Sequence, residues 1–168
     1  MILSLKAMAV LSLSSILLGA MVVFGLKTTT LMEEGNGGVV VEATKFPLKL
    51  TMVFNKTTFE AGKIVNFTLI LENIGNETLT IYWGPVDHFS YAIYDKSGSK
   101  VYEPDSAWLA IYMPPSHLPR ALACVAVIPW HQPYDFLPGT YQIVGLFISH
   151  KLSLNLTIET SPVTVTLT

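Results

Sequence analysis

Val65-Asn66-Phe67-Thr68-Leu69-Ile70-Leu71-Glu72 places an apolar residue at every odd position, while Asn66, Thr68 and Glu72 occupy even ones. Successive side chains of a strand point to opposite faces, so this period of two predicts a half-buried β-strand and excludes an amphipathic helix. The pattern recurs on both sides. Leu48, Leu50, Met52 and Phe54 alternate with Lys49, Thr51 and Asn55, and Leu79, Ile81 and Trp83 with Thr78, Thr80 and Tyr82. Leu152, Leu154, Leu156 and Ile158 alternate with Ser153, Asn155, Thr157 and Glu159, and Val163, Val165 and Leu167 with threonines. Turn-forming residues separate these runs at Glu60-Ala-Gly62, Asn73-Ile-Gly-Asn76, Asp95-Lys-Ser-Gly98, Leu137-Pro-Gly139 and Ser161-Pro162. Short, evenly spaced strands divided by turns predict an all-β fold, an antiparallel β-sandwich of about seven to nine strands over residues 46–168.

The chain has 168 residues, 51% of them hydrophobic and only 13% charged. Part of that apolar excess lies at the start. Ala7 to Leu26 carries no charge, with Lys6 before it and Lys27 after it. Twenty helical residues span roughly the 30 Å of a bilayer's hydrocarbon core. Two readings of residues 1–27 stand: an uncleaved anchor helix that holds the membrane through residues 7–26, or a secretory signal removed near Gly19-Ala20. Residues 28–45 include Glu33-Glu-Gly-Asn-Gly-Gly38, too polar and glycine-rich to bury much surface, and read as a flexible stem. Within it, Gly38-Val-Val-Val41 stands out as a first edge strand or a strand offered to another molecule.

Asparagine supplies a second argument for export. Of six Asn, four begin an Asn-x-Thr acceptor pattern: Asn55, Asn66, Asn76 and Asn155. Strands produce the same spacing unaided when they line one face with polar residues, and either origin puts these asparagines in solvent. Their use as glycan acceptors requires export in a eukaryote or an archaeon. From Lys45 onward eight Lys/Arg face nine Asp/Glu without a cluster of either sign, which gives no footprint for nucleic acid.

From Glu103 to Pro138 the period breaks. Seven of the ten prolines fall there, with Trp108, Tyr112, Trp130, Tyr134 and Phe136 among them. Proline cannot donate to a central ladder, so this region is expected to be loop and edge. Rigid aromatics on such loops suit a contact surface as well as they suit covering the open end of a core. Trp108, Tyr112, His117, Arg120, Trp130 and Tyr134 are the candidate binding-loop residues. Cys124, the only cysteine, sits in the apolar run Ala121 to Ile128 and reads as a buried thiol. Six residues separate it from His131 and no Met follows it, which does not fit a blue-copper loop. Neither His131-x-x-x-Asp135 nor Asp87-His88 supplies enough ligands for a metal, and no Gly-x-Ser-x-Gly, His-Glu-x-x-His or phosphate-cradling Gly-Lys-Ser/Thr occurs. The expectation is a protein without catalytic residues, metal or cofactor.

Three stretches, Phe59 to Ile81, Phe89 to Tyr102 and Leu137-Pro-Gly-Thr-Tyr-Gln-Ile-Val144, together resemble the BsuPI-like family of intracellular proteinase inhibitors. The resemblance covers about half of residues 46–148. It implies an immunoglobulin-like sandwich and, by family, inhibition of a protease, for which His117-Leu-Pro-Arg120 is the candidate exposed loop. Between Tyr102 and Leu137 the sequence departs from the family pattern, and no inhibitory residue carries over. Three functions are thus expected: an extracytoplasmic module that binds a protein partner or mediates adhesion, a proteinase inhibitor, and a filament subunit in which Gly38-Val-Val-Val-Glu42 completes a neighbour's sheet by strand addition.

Overall fold

The computed structural model describes residues 38–84, 86–104, 116–132, 136–150 and 156–168. Every regular element among them is a strand. In chain order these are β1 (Val39–Lys45), β2 (Leu48–Phe54), β3 (Thr58–Phe59), β4 (Val65–Asn73), β5 (Leu79–Ile81) and β6 (Asp87–Tyr94). There follow β7 (Lys100–Tyr102), β8 (Ser116–Leu118), β9 (Ala123–Trp130), β10 (Gly139–Ser149), β11 (Leu156–Glu159) and β12 (Val163–Leu167). The apolar run 7–26, the stem up to residue 37, Trp108, Tyr112, Tyr134 and Asn155 lie outside the described residues.

The alternation of β4 is realised as read: Val65, Phe67, Leu69 and Leu71 are buried while Asn66 faces solvent. β4 lies inside a four-stranded antiparallel sheet of order β1-β2-β4-β9. A second sheet has the order β3-β12-β10-β6-β7, with β11 also on β10, and all its pairings are antiparallel except β3 with β12. A two-stranded ribbon, β5 with β8, stands apart. The two sheets share one core. Phe67 of the first sheet meets Tyr91 of the second edge to face at 5.3 Å, and Phe54 stacks on Phe67 at 5.1 Å. Gly145 marks their closest approach, because a Cβ there would stand 2.6 Å from Leu69 Cδ2 and 3.1 Å from Met52 Sδ.

Two boundaries differ from expectation. The sheet starts at Val39, so the stem read over 28–45 gives up its last seven residues to β1. Val39, Val41 and Ala43 pack on the core while Val40, Glu42 and Thr44 face out, which is enough apolar area to hold the strand on β2. The strand count rises to twelve among the described residues, because β3, β5, β7 and β8 have only two or three residues each and the last run divides. β11 and β12 occupy one edge of β10, where Glu159 faces Leu146 and Val163 faces Ile143. Three residues, Thr160 to Pro162, thereby oppose two, Val144 and Gly145, as a bulge. Thr160 closes it by donating its N–H to the Gly145 carbonyl at 3.0 Å and accepting the Gly145 N–H on Oγ1 at 3.0 Å. In β9, Pro129 is tolerated because that strand is at the sheet's edge. Cys124 is buried on the same strand, and burial pushes its thiol pKa up to about 11.

The register gives the molecule two distinct ends. Val39 pairs with Phe54, and Thr168 bonds to Phe59 and Ala61, so both enter or leave at one end, termed proximal. The opposite, distal end carries the Phe46-Pro47 turn, the residues after β4, the ribbon and the turn before β9. Seven residues of β1 separate the ends, roughly 20 Å at the rise of a strand.

Candidate binding surface

The distal end is organised by a polar residue buried in full. Asn73 ends β4, and its Nδ2 donates to the carbonyls of Glu77 at 2.7 Å and Leu118 at 2.8 Å. Its Oδ1 accepts the Gly75 N–H at 2.9 Å, its own N–H donates to the Leu122 carbonyl at 3.0 Å, and its carbonyl accepts from Ala121 at 2.9 Å. Five bonds from one residue satisfy every polar group that burial has taken from water. They also tie three segments together: the turn after β4, the strand β8, and the turn Pro119 to Leu122. The Ile74 N–H donates to the Pro47 carbonyl at 2.9 Å, which adds the β1–β2 turn to the assembly. Gly75 is held so close that a Cβ would lie 2.7 Å from Pro47 Cβ.

On this support two of the sequence candidates come together. His117 lies on β8 opposite Thr80, its Nδ1 3.3 Å from Thr80 Oγ1. Arg120 is exposed at the tip of the next turn, closed by the Leu122 N–H donating to the Pro119 carbonyl at 3.2 Å. Ala121 there has φ 59°, a left-handed conformation that non-glycine residues seldom adopt and that the two bonds to Asn73 hold in place. Tyr82, just past β5, is partly exposed.

Trp130 must be removed from the binding set. It belongs to β9, where Cys124, Ile128 and Trp130 all turn inward, and it is fully buried with its ring edge to face with Phe136 at 5.2 Å. Pairing with Val65 also places it at the proximal end, away from His117 and Arg120. The aromatic content of this segment suggested a loop, but two-residue alternation continues through Pro129. Phe46 and Ile74, both exposed at the distal end, escaped the sequence reading, although Phe46-Pro47 between two alternating runs marked a turn.

Two open clefts mark the surface. The distal one, about 380 Å³, is lined by Phe46, Pro47, Asn76, Glu77 and Leu79. The proximal one, about 300 Å³, includes Asn55, Lys56, Phe59, Lys63, Ile64 and Asn66. The acceptor-pattern asparagines Asn55, Asn66 and Asn76 are all exposed, and each lines one of these clefts. Above the proximal cleft Gln132 bridges a turn, accepting the Gly62 N–H at 2.8 Å and donating to the Lys63 carbonyl at 2.7 Å.

Buried polar chemistry gathers at the distal end of β6. Asp87 accepts from Ser149 Oγ at 2.7 Å and from the Tyr82 N–H at 2.7 Å, and both Asp87 and Ser149 are sealed from solvent. A hydroxyl so enclosed cannot meet a substrate, so the pair holds the loop before β6. His88 is buried next to them, and its Nδ1 has no hydrogen-bond partner among the described residues. Burial lowers its pKa, His150 lowers it further, and Asp87 partly offsets both. No group of three or more His, Cys, Asp or Glu placed to hold a metal occurs among the described residues. No family model matches the chain, and no curated protein matches it as a relative.

Proposed function

We propose that this chain is an exported, immunoglobulin-like binding module that presents its distal end to a protein partner. Residues 7–26 either keep it at the membrane or are removed during export. The strand plan supports the immunoglobulin-like reading. β2 lies in the first sheet, and the chain then crosses so that β3 pairs in parallel with the final strand β12, as in sandwiches of that class. The carrying observation is polarity. The chain joins the fold at the proximal end, while His117 and Arg120 stand on a hydrogen-bonded support at the opposite one. Prior rigidity lowers the ordering cost of binding, and Arg is among the residues from which interface hot spots are drawn.

The inhibitor reading is weaker. Leu118 is buried and paired, and Pro119 to Leu122 forms a tight turn, whereas a protease cleft takes an extended segment. Within the fold, Val39 to Glu42 of the proposed donor segment already pair with β2.

The test is site-directed photocrosslinking in the native membrane, with the crosslinker placed at position 120 or, as a proximal control, at position 63. A discrete crosslinked partner from position 120 alone is expected. Adducts from position 63 alone, or from neither position, would overturn the reading.

A further inference from the structure

We propose that Phe46 is a stacking platform for the first sugar of an N-linked glycan on Asn76. The inference rests on export of the domain, as in the function proposed above. It goes beyond that reading by selecting one acceptor and giving its glycan a structural role.

Asn76 and Thr78 of the acceptor pattern are both exposed, so the site is open to modification. Phe46 lines the same distal cleft and leaves 67% of its surface in water. The face of an aromatic ring is electron-rich. One face of a pyranose carries only C–H groups of slight positive charge, so the two surfaces attract while both leave water.

The backbone fixes the pair in advance. The Ile74 N–H is bonded to the Pro47 carbonyl, Gly75 abuts Pro47, and the Glu77 carbonyl is held by Asn73. Asn76 therefore stands on a turn tied before it to the turn bearing Phe46 and after it to the buried Asn73, and stacking costs little further ordering.

The other described acceptors lack such a platform. Asn55 and Asn66 share the proximal cleft with Phe59, but that ring is buried and the Lys56 ammonium lies 5.0 Å above its centre. A glycan on either has no open aromatic face in that cleft to cover.

A double-mutant cycle on the full chain, made in a glycosylating host, tests the pairing. Mass spectrometry maps the occupied asparagines, and thermal unfolding compares the wild type with Phe46→Ala, Asn76→Gln and the double variant. Loss of the glycan through Asn76→Gln is expected to lower Tm by about 3 °C when Phe46 is present and by less than about 1 °C in the Phe46→Ala background. Asn66→Gln serves as the control, with the same effect in both backgrounds. Occupancy of Asn76 with equal Tm changes in both backgrounds would overturn the platform and leave export intact. Occupancy of other sites but not Asn76 would do the same. No occupied asparagine at all would overturn the platform and remove the asparagine argument for export.

Discussion

Each end of the sandwich is fastened by the amide of one side chain, and the two amides differ in their surroundings. At the distal end Asn73 is buried in full and makes five hydrogen bonds to five other residues besides its ladder partners. At the proximal end Gln132 makes two bonds to neighbouring residues of one turn, both exposed to solvent. Water can replace the bonds of Gln132 but does not reach the Asn73 side chain, so similar geometry carries different energies. The end at which the chain joins the fold is therefore loosely fastened, and the end facing away is held rigid.

The largest expected effect follows from that difference. Asn73→Ala removes three side-chain bonds and leaves the Glu77 and Leu118 carbonyls without their donor, at a cost of about 3 kcal/mol by urea unfolding. Asn73→Asp preserves shape but replaces the donating NH₂ with an oxygen facing two carbonyls, so it should cost at least as much. A loss below about 1 kcal/mol for both variants would mean that the distal turns are held by something other than this amide.

What could be read in advance follows from locality. The alternations of β2, β4 and β12 depend on nothing but consecutive residues, and each buries the face its sequence assigned. β6 has no legible period, since Asp87, His88 and Ser90 are buried alongside Phe89 and Tyr91 and leave no wet face to mark one. The division of the last run into β11 and β12 depends on Gly145, a glycine of another strand. Asn73 was visible as a turn residue. Its part in joining three segments depends on Leu118 and Leu122, more than forty positions away, and no local pattern encodes that. Trp130 shows the converse error, in which composition suggested a loop and the period of two, continuing from Cys124, settled its place in the core.

The ends should also separate by pH. His88 at the distal end has a folded pKa below its ordinary value of 6.5, mainly through burial and then through His150. The folded state binds fewer protons than the unfolded chain there, so its contribution is fully present above pH 6.5 and is lost as pH falls from 6.5 toward the folded value. At the proximal end the Ser97 hydroxyl, then the Ser99 N–H, hold Asp95 below its ordinary 3.8. The sign is the same and the window lower: this stabilisation is present above pH 3.8 and disappears only as pH falls below it. Unfolding free energies measured between pH 7 and 5 should decline by at most about 1.4 kcal/mol per pH unit for one proton. His88→Gln should flatten that decline, while Ser97→Ala should lower stability equally across pH 7 to 5, leaving the slope unchanged, and alter the pH dependence only below pH 4. An unaltered slope in His88→Gln would assign the decline to other groups.

Gln132→Ala should give the smallest effect, about 0.5–1 kcal/mol, because Gly62 and Lys63 pass to water instead of to an empty interior. Its sharper signature is local. Hydrogen exchange at the Gly62 amide should accelerate while amides of β4 and β9, whose pairing does not use Gln132, keep their protection. A loss matching that of Asn73→Ala would mean that burial is not what distinguishes the two clasps. A small loss with exchange confined to residues 61–64 would mean that the proximal turns open independently of the core, so that motion where the chain joins the fold leaves the distal surface undisturbed.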